Sequence, residues 1–252
     1  MPALRTLLAF LLSLCLAPGL VAAAEVRVAV AANFASTLRL LAPEFAAETG
    51  HRLLISPGST GKHYAQIRNG AAFDVFLAAD AEHPMRLEAE GTGIAGSRFA
   101  YAEGRLALWV PGQGDLGDPA AYLARGAFRR VAIANPRLAP YGQAARQVLE
   151  AWGLWDALQS KLVRGENIAQ AYQFVASGNA EVGLVALSQL LTGEAVAQAD
   201  YRPVPDTLYR PIAQHALLLR RSAAAEAFLE FLKGEQALRL IRAAGYRVPR
   251  AS

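Results

Sequence analysis

The sequence predicts an α/β protein made of two Rossmann-like lobes with a ligand cleft between them. Short runs rich in β-branched residues, such as residues 26–32 (VRVAVAA), alternate with segments that have helical periodicity. This alternation restarts near Arg105, and the chain closes with one more strand, residues 212–219, and two amphipathic helices. Strands that alternate with helices form parallel sheets through right-handed crossovers, and such sheets bind ligands at the carboxyl ends of their strands.

The predicted first lobe comprises residues 25–104 and 212–252. Its first strand leads into Asn33, which we expect to cap a helix that ends at Gly50. Pro43 lies inside this helix and predicts a kink or a restart, because proline lacks the N–H that a helix needs. The other predicted elements of this lobe are strands 52–56, 73–79 and 212–219, a helix that ends at Asn69-Gly70, a short helix after Asp80, and helices 223–233 and 236–244.

The predicted second lobe comprises residues 105–211. Pro203 and Pro205 indicate a loop near its end, since proline cannot donate to a strand ladder. Two chain crossings, near Gly104 and at residues 210–212, are expected to join the lobes. The predicted elements of the second lobe are strands 105–110, 131–134, 162–163 and 182–186, with helices 143–152 and 168–176.

The first 24 residues have the features of a secretory signal peptide. Arg5 supplies the positive start, residues 7–16 form a short apolar run, and residues 22–24 (AAA) form a small-residue cleavage site. We therefore expect cleavage after Ala24 and a soluble exported product. The single cysteine, Cys15, lies in this segment, so the mature chain is predicted to have no disulfide, no thiol nucleophile and no thiolate metal site.

Composition and motifs argue against an enzyme and against a nucleic-acid partner. The formal charge is +4, but lysine and arginine are scattered along helices and form no basic run interleaved with aromatic residues. The patterns G-x-S-x-G, H-E-x-x-H and the P-loop are absent. Asp74 and Asp80 are expected at opposite ends of one strand, roughly 20 Å apart, too far for an acid–base pair. No metal-cation site or cofactor is predicted, because the histidines lie on different elements: His51, His63, His83 and His215.

Four strand-to-helix junctions carry the candidate binding residues: Asn33, Ser59 with Thr60, Tyr141, and Ile168. The first N–H groups of a helix have no intrahelical partner and carry partial positive charge, so a helix start can bind an anion. If the four junctions face one cleft, their uncharged donors can hold a small, multiply charged anion, because hydrogen bonds to charged acceptors are strong.

Simpler structural roles remain open for these residues. Ser59 and Thr60 could be ordinary helix caps, since serine and threonine before a helix usually are. The Tyr141 side chain could pack against Trp152 or Trp155. Glu166 would repel an anion if it pointed inward, so we expect it to point outward, with Asn167 as the cap of the following helix.

Nine short motifs follow one another along the predicted mature chain: AANF at 31–34, PEFAAETG at 43–50, GSTG at 58–61, YAQI at 64–67, FDVFLAAD at 73–80, PYG at 140–142, ENIAQAY at 166–172, VGLVA at 182–186 and AAGY at 243–246. With these motifs the chain resembles the molybdate-binding proteins of bacterial ABC uptake systems. Those proteins are two-lobed periplasmic binding proteins of the second type, so the resemblance implies that fold.

This resemblance implies high-affinity, non-enzymatic capture of molybdate, and of tungstate, by a periplasmic monomer that delivers the anion to the membrane permease of an ABC transporter. Alternatives are sulfate, thiosulfate or another oxyanion and, more remotely, ferric ion. In one branch of this family a tyrosine at the position of Ala186 binds the anion. This chain lacks that hydroxyl donor, and Tyr141 would replace it. The resemblance places the oxyanion contacts on Asn33 with Ala32 beside it, on Ser59 and Thr60, and on Tyr141 and Ile168, the last two through backbone N–H groups.

Overall fold

The computed structural model describes residues 23–193 and 200–248. The predicted signal peptide lies outside the described residues, except for Ala23 and Ala24 at its end. Within the described ranges the strands are β1 (Glu25–Ala31), β2 (Arg52–Gly58), β3 (Val75–Leu77), β4 (Phe99–Gly104), β5 (Leu106–Trp109), β6 (Val131–Ala134), β7 (Leu162–Gly165), β8 (Val182–Ala186), β9 (Tyr201–Pro203) and β10 (Ile212–Leu218).

Ten α-helices are described in the same ranges, and a 3₁₀ turn, Ala32–Phe34, precedes the first of them. The helices are α1 (Ala35–Thr49), α2 (Thr60–Arg68), α3 (Glu82–Ala89), α4 (Pro119–Arg125), α5 (Pro140–Ala151), α6 (Trp155–Leu158), α7 (Ile168–Ala176), α8 (Leu187–Thr192), α9 (Ala223–Lys233) and α10 (Glu235–Ala243). None of the described helices is both long and apolar enough to cross a membrane.

The first sheet has the strand order β2-β1-β3-β10-β4. Strands β1, β2 and β3 run parallel, as predicted, and β10 is antiparallel to both of its neighbours. The carboxyl-terminal half of β1 is buried on both faces, with Val28 and Val30 in the core on one side and Ala29 in the core on the other. The register pairs Ala31 with Gly58, so the carboxyl ends of β1 and β2 lie side by side.

The second sheet has the order β7-β6-β8-β5-β9, with β6, β7 and β8 parallel and β5 antiparallel to β8 and β9. Its parallel register pairs Ala134 with Gly165, which brings the loops before α5 and α7 together. The sequence predicted a loop at Pro203, but this residue ends strand β9. A proline is tolerated there because, among the described strands, β9 lies at the sheet edge beside β5.

Two other elements, strand β4 and helix α1, differ from the sequence prediction. The alanine- and glycine-containing segment Phe99–Gly104 forms β4, although its composition gives a weak strand signal. Helix α1 continues through Pro43 without a restart. Pro43 is exposed, so water can solvate the backbone carbonyl one turn earlier that would have accepted its missing N–H. The helix ends as predicted at Gly50, whose φ of 74° is left-handed.

The C-terminal helices α9 and α10 pack back onto the first sheet, against α1. Phe228, Leu232 and Ile241 share one buried core with Leu38 and Phe45 of α1. Since the strands before β5 and after β9 belong to one sheet, we propose that each sheet with its helices forms one lobe. The proposed boundaries are those expected from the sequence, residues 25–104 with 212–252 and residues 105–211.

Candidate functional site

A small cavity of about 10 Å³ lies where helix starts of both sheets meet. Pockets for organic ligands typically have 300–1,000 Å³, so this cavity suits a smaller and more compact guest. All six residues predicted from the sequence line it. The lining residues that the structure describes are Ala31, Ala32, Asn33, Gly58, Ser59, Thr60, Ala79, Ala139, Pro140, Tyr141, Asn167 and Ile168.

The cavity lies at the starts of three α-helices and one 3₁₀ turn. Ser59 is the N-cap position of α2, Ala139 that of α5 and Asn167 that of α7, while Ala32 begins the 3₁₀ turn after β1. The first N–H groups of each helix have no acceptor within the helix and carry partial positive charge. The two lobes therefore present backbone donors to the same small volume.

Ser59 and Thr60 place two hydroxyl groups at the cavity. The Ser59 Oγ is buried and has no hydrogen-bond partner, and its side chain does not cap α2, so the capping role considered for it is wrong. The Thr60 Oγ1 accepts a hydrogen bond of 3.0 Å from the backbone N–H of Ala79. Because a hydroxyl can accept and donate at once, the hydrogen of Thr60 stays available to a ligand.

The side chain of Asn33 does not cap α1, contrary to the sequence prediction. Its Nδ2 donates to the Oε1 of Gln214 and to the hydroxyl of Tyr246, each at 3.0 Å. An amide nitrogen has two hydrogens, and both are used in these bonds. The donor that Asn33 can offer to a ligand is therefore its backbone N–H.

Tyr141 is buried in the first turn of α5, and its hydroxyl reaches the first sheet. There the Nε2 of Gln214 donates to it at 3.5 Å. A side chain at Gly104 would overlap this hydroxyl, so the close approach requires glycine at that position. Burial raises the pKa of Tyr141 well above its usual value and keeps the phenol neutral, which suits a site for an anion.

Four polar residues behind Asn33 were not predicted as part of the site. Gln214 also accepts from the hydroxyl of Tyr101 at 2.9 Å, and Ser188 donates to the backbone carbonyl of Asn33 at 3.2 Å. Tyr246 contacts Asn33 and Ser188, and burial raises its pKa to about 12. The available sequence signals were a glutamine in an apolar strand and the tyrosine of AAGY.

The charged groups lie outside the cavity. Among the lining residues that the structure describes, there is no lysine or arginine. Glu166 points outward as expected and pairs with Lys62 at 2.6 Å, while the Oδ1 of Asn167 caps α7 by accepting from the N–H of Gln170 at 3.1 Å. The cavity therefore offers uncharged donors, and the Lys62–Glu166 ion pair lies beside it.

No group of three or more histidine, cysteine, aspartate or glutamate side chains arranged to hold a metal ion occurs within residues 23–193 and 200–248. Asp74 pairs with Arg27, and Asp80 pairs with His83. The Tyr209 hydroxyl accepts from the backbone N–H of Leu106. These partners give the two carboxylates and this tyrosine structural roles.

A two-lobed α/β fold with a small cavity of neutral donors between its sheets defines a solute-binding protein for a compact anion. The chain belongs to the bacterial extracellular solute-binding protein family, whose model matches residues 26–247. It is 50% identical over 227 residues to the molybdate-binding protein ModA of Azotobacter vinelandii, covering 89% of this chain and 90% of that protein.

Two further comparisons agree with this assignment. The molybdate-binding protein ModA of Rhodobacter capsulatus is 44% identical over 248 residues, covering 96% of this chain and 97% of that protein. The solved structure of the Azotobacter vinelandii periplasmic molybdate-binding protein superposes with a TM-score of 0.84 at 42% identity, covering 90% of this chain and all of that one. The family and the fold are those that the sequence motifs implied.

Proposed function

We propose that this protein captures molybdate, and also tungstate, in the periplasm and delivers it to the permease of an ABC transporter without catalysing a reaction. Two relatives that align over about nine-tenths or more of this chain are named molybdate-binding proteins, and a solved relative is described as periplasmic. We further propose that it acts as a monomer and that its signal peptide is removed after Ala24.

The observation that carries this proposal is the unpartnered hydroxyl of Ser59 at a cavity lined by helix starts. An unpaired buried hydroxyl is costly, and an oxyanion is the acceptor that it lacks. Each hydrogen bond to a charged acceptor contributes roughly 1.5–3 kcal/mol, so several neutral donors together can offset the desolvation of a dianion.

We propose that the anion accepts hydrogen bonds from the hydroxyls of Ser59 and Thr60 and from backbone N–H groups. Those of Ala32 and Asn33 belong to the first lobe, and those of Tyr141 and Ile168 to the second. Binding then requires both lobes at once, and the lobes close about the crossings at Gly104 and at residues 210–212. A permease can select the closed form, because only this form presents both lobes in their bound arrangement.

Calorimetric titration of the mature protein with molybdate, tungstate, sulfate and phosphate tests the proposal. Molybdate and tungstate should bind with similar affinities, since they have the same charge and nearly the same size. Sulfate is smaller and leaves buried donors unpaired, so it should bind more weakly. Stronger binding of sulfate or phosphate than of molybdate would refute the proposal and support the alternative of another oxyanion.

A further inference from the structure

The first turn of α2 contacts the second lobe at two consecutive residues. The backbone N–H of Gly61 donates to the carbonyl of Leu138 at 3.0 Å, and the Nζ of Lys62 lies 2.6 Å from the Oε1 of Glu166. A Cβ at Gly61 would lie 3.0 Å from the Leu138 carbonyl oxygen, which is tighter than ordinary packing. The two lobes are therefore in close contact at this helix turn.

The ion pair stands next to the proposed anion site on both sides. Lys62 follows Thr60 by two residues in α2, and Glu166 precedes Asn167, the cap of α7. Thr60 and Asn167 line the cavity. The pair thus links α2 of the first lobe with α7 of the second, two of the three α-helices that begin at the cavity.

Glu166 places a negative charge near a site for an anion, where it would weaken binding if it were left alone. The ammonium group of Lys62 offsets this charge, because the two groups are in direct contact. The pair also joins two lobes, so it can form only when they approach each other. One contact can therefore favour closure and reduce the repulsion of the bound anion.

We propose that Lys62 and Glu166 form an affinity-determining ion pair that assembles on lobe closure and slows the release of the anion. This proposal rests on the proposed function. The Lys62 side chain is 52% exposed and that of Glu166 45% exposed, so the pair is screened by water and salt. Loss of an exposed ion pair of this kind changes the Kd by about 1.5- to 5-fold.

A double-mutant cycle on the molybdate Kd tests the pair, with the variants Lys62→Met, Glu166→Gln and the double variant. Lys62→Met should raise the Kd about two- to fivefold through faster dissociation, because it leaves the carboxylate of Glu166 unneutralised. Glu166→Gln should have a smaller effect, since it removes both the pair and the repulsion. The double variant should bind as Glu166→Gln does, and Lys62→Arg should keep wild-type affinity.

The pair Arg146–Glu150 provides a matched control. Its separation is 2.7 Å and its side chains are 53% and 43% exposed, but both residues lie in α5 and the pair does not bridge the lobes. Glu150→Gln should leave the molybdate Kd and the dissociation rate unchanged. The salt dependence of the dissociation rate should fall in Lys62→Met and remain in Glu150→Gln.

Two results would overturn the proposal. Additive effects of Lys62→Met and Glu166→Gln on the Kd would mean that the residues are not coupled in the bound state. A change in the association rate alone would mean that Lys62 only attracts anions. Either result leaves the proposed function standing as long as the wild-type protein binds molybdate, whereas loss of wild-type binding would refute the function itself.

Discussion

Replacing Ser59 by alanine separates an anion-binding role from a structural one. The Oγ of Ser59 has no hydrogen-bond partner in the protein, and the residue is 2% exposed. Ser59→Ala therefore removes no internal hydrogen bond. It removes the cost of a buried unpaired hydroxyl, so the free energy of unfolding of the ligand-free protein should stay unchanged or rise by about 1 kcal/mol.

The effect on binding should have the opposite sign. A hydrogen bond from a neutral donor to a charged acceptor contributes about 1.5–3 kcal/mol, which corresponds to an increase of about 10- to 150-fold in the molybdate Kd. If Ser59 had only a structural role, Ser59→Ala would lower the free energy of unfolding or leave it unchanged, and it would not change the molybdate Kd. A variant that is as stable as wild type or more so, and binds molybdate less tightly, is the expected result.

Calorimetry of the molybdate complex and urea unfolding without ligand measure the two quantities separately. Ser160→Ala is a suitable control, since it makes the same chemical change at an exposed position in the second lobe. It should leave the Kd unchanged. A Ser59→Ala protein that binds molybdate within about twofold of wild type would refute a hydrogen bond between this hydroxyl and the anion.

Three further predictions follow from neighbouring residues. Thr60→Ala should weaken molybdate binding and also lower the free energy of unfolding by about 1–3 kcal/mol, because the buried N–H of Ala79 loses its acceptor, and Thr60→Ser should restore both in calorimetry and urea unfolding. Tyr141→Phe should raise the molybdate Kd less than Ser59→Ala does, since its hydroxyl contacts Gln214; a larger effect in calorimetry would instead make the phenol an anion ligand. Burial lowers the pKa of His63 in the folded protein below its usual value of about 6.5. Between these two pKa values the unfolded chain binds more protons, so the free energy of unfolding should decrease as the pH is lowered through this window. His63→Gln should flatten that slope in urea unfolding at several pH values, and an unchanged slope would contradict the prediction.

The sequence predicted those features of the candidate site that depend on local order along the chain. Each of the predicted binding residues lies where a strand ends and a helix or helical turn begins, and that position can be recognised from composition. The parallel register then places neighbouring strand ends together, as Ala31 and Gly58 show. Strand β4 and the short edge strand β9 were missed because their segments carry alanine, glycine or proline, whose strand propensity is low.

The environment of Asn33 depends on contacts that local patterns do not contain. Its two side-chain partners, Gln214 and Tyr246, are 181 and 213 residues away along the chain. They meet Asn33 because β10 enters the first sheet beside β3 and the C-terminal helices return to that sheet. Capping was the reasonable local prediction for an asparagine before a helix, and tertiary hydrogen bonds replaced it.

In the proposed function, the separation of charge from the cavity lets one site be both selective and reversible. A lysine inside the cavity would attract any anion and hold it with one lobe alone, so closure would add little. Neutral donors divided between two lobes bind strongly only when both lobes surround a guest that reaches all of them. A smaller anion leaves a buried donor such as the Ser59 hydroxyl unpaired, at a cost of about 1–3 kcal/mol. Selectivity then depends on the size of the closed cavity, while the exposed pair of Lys62 and Glu166 adjusts how long the closed state lasts.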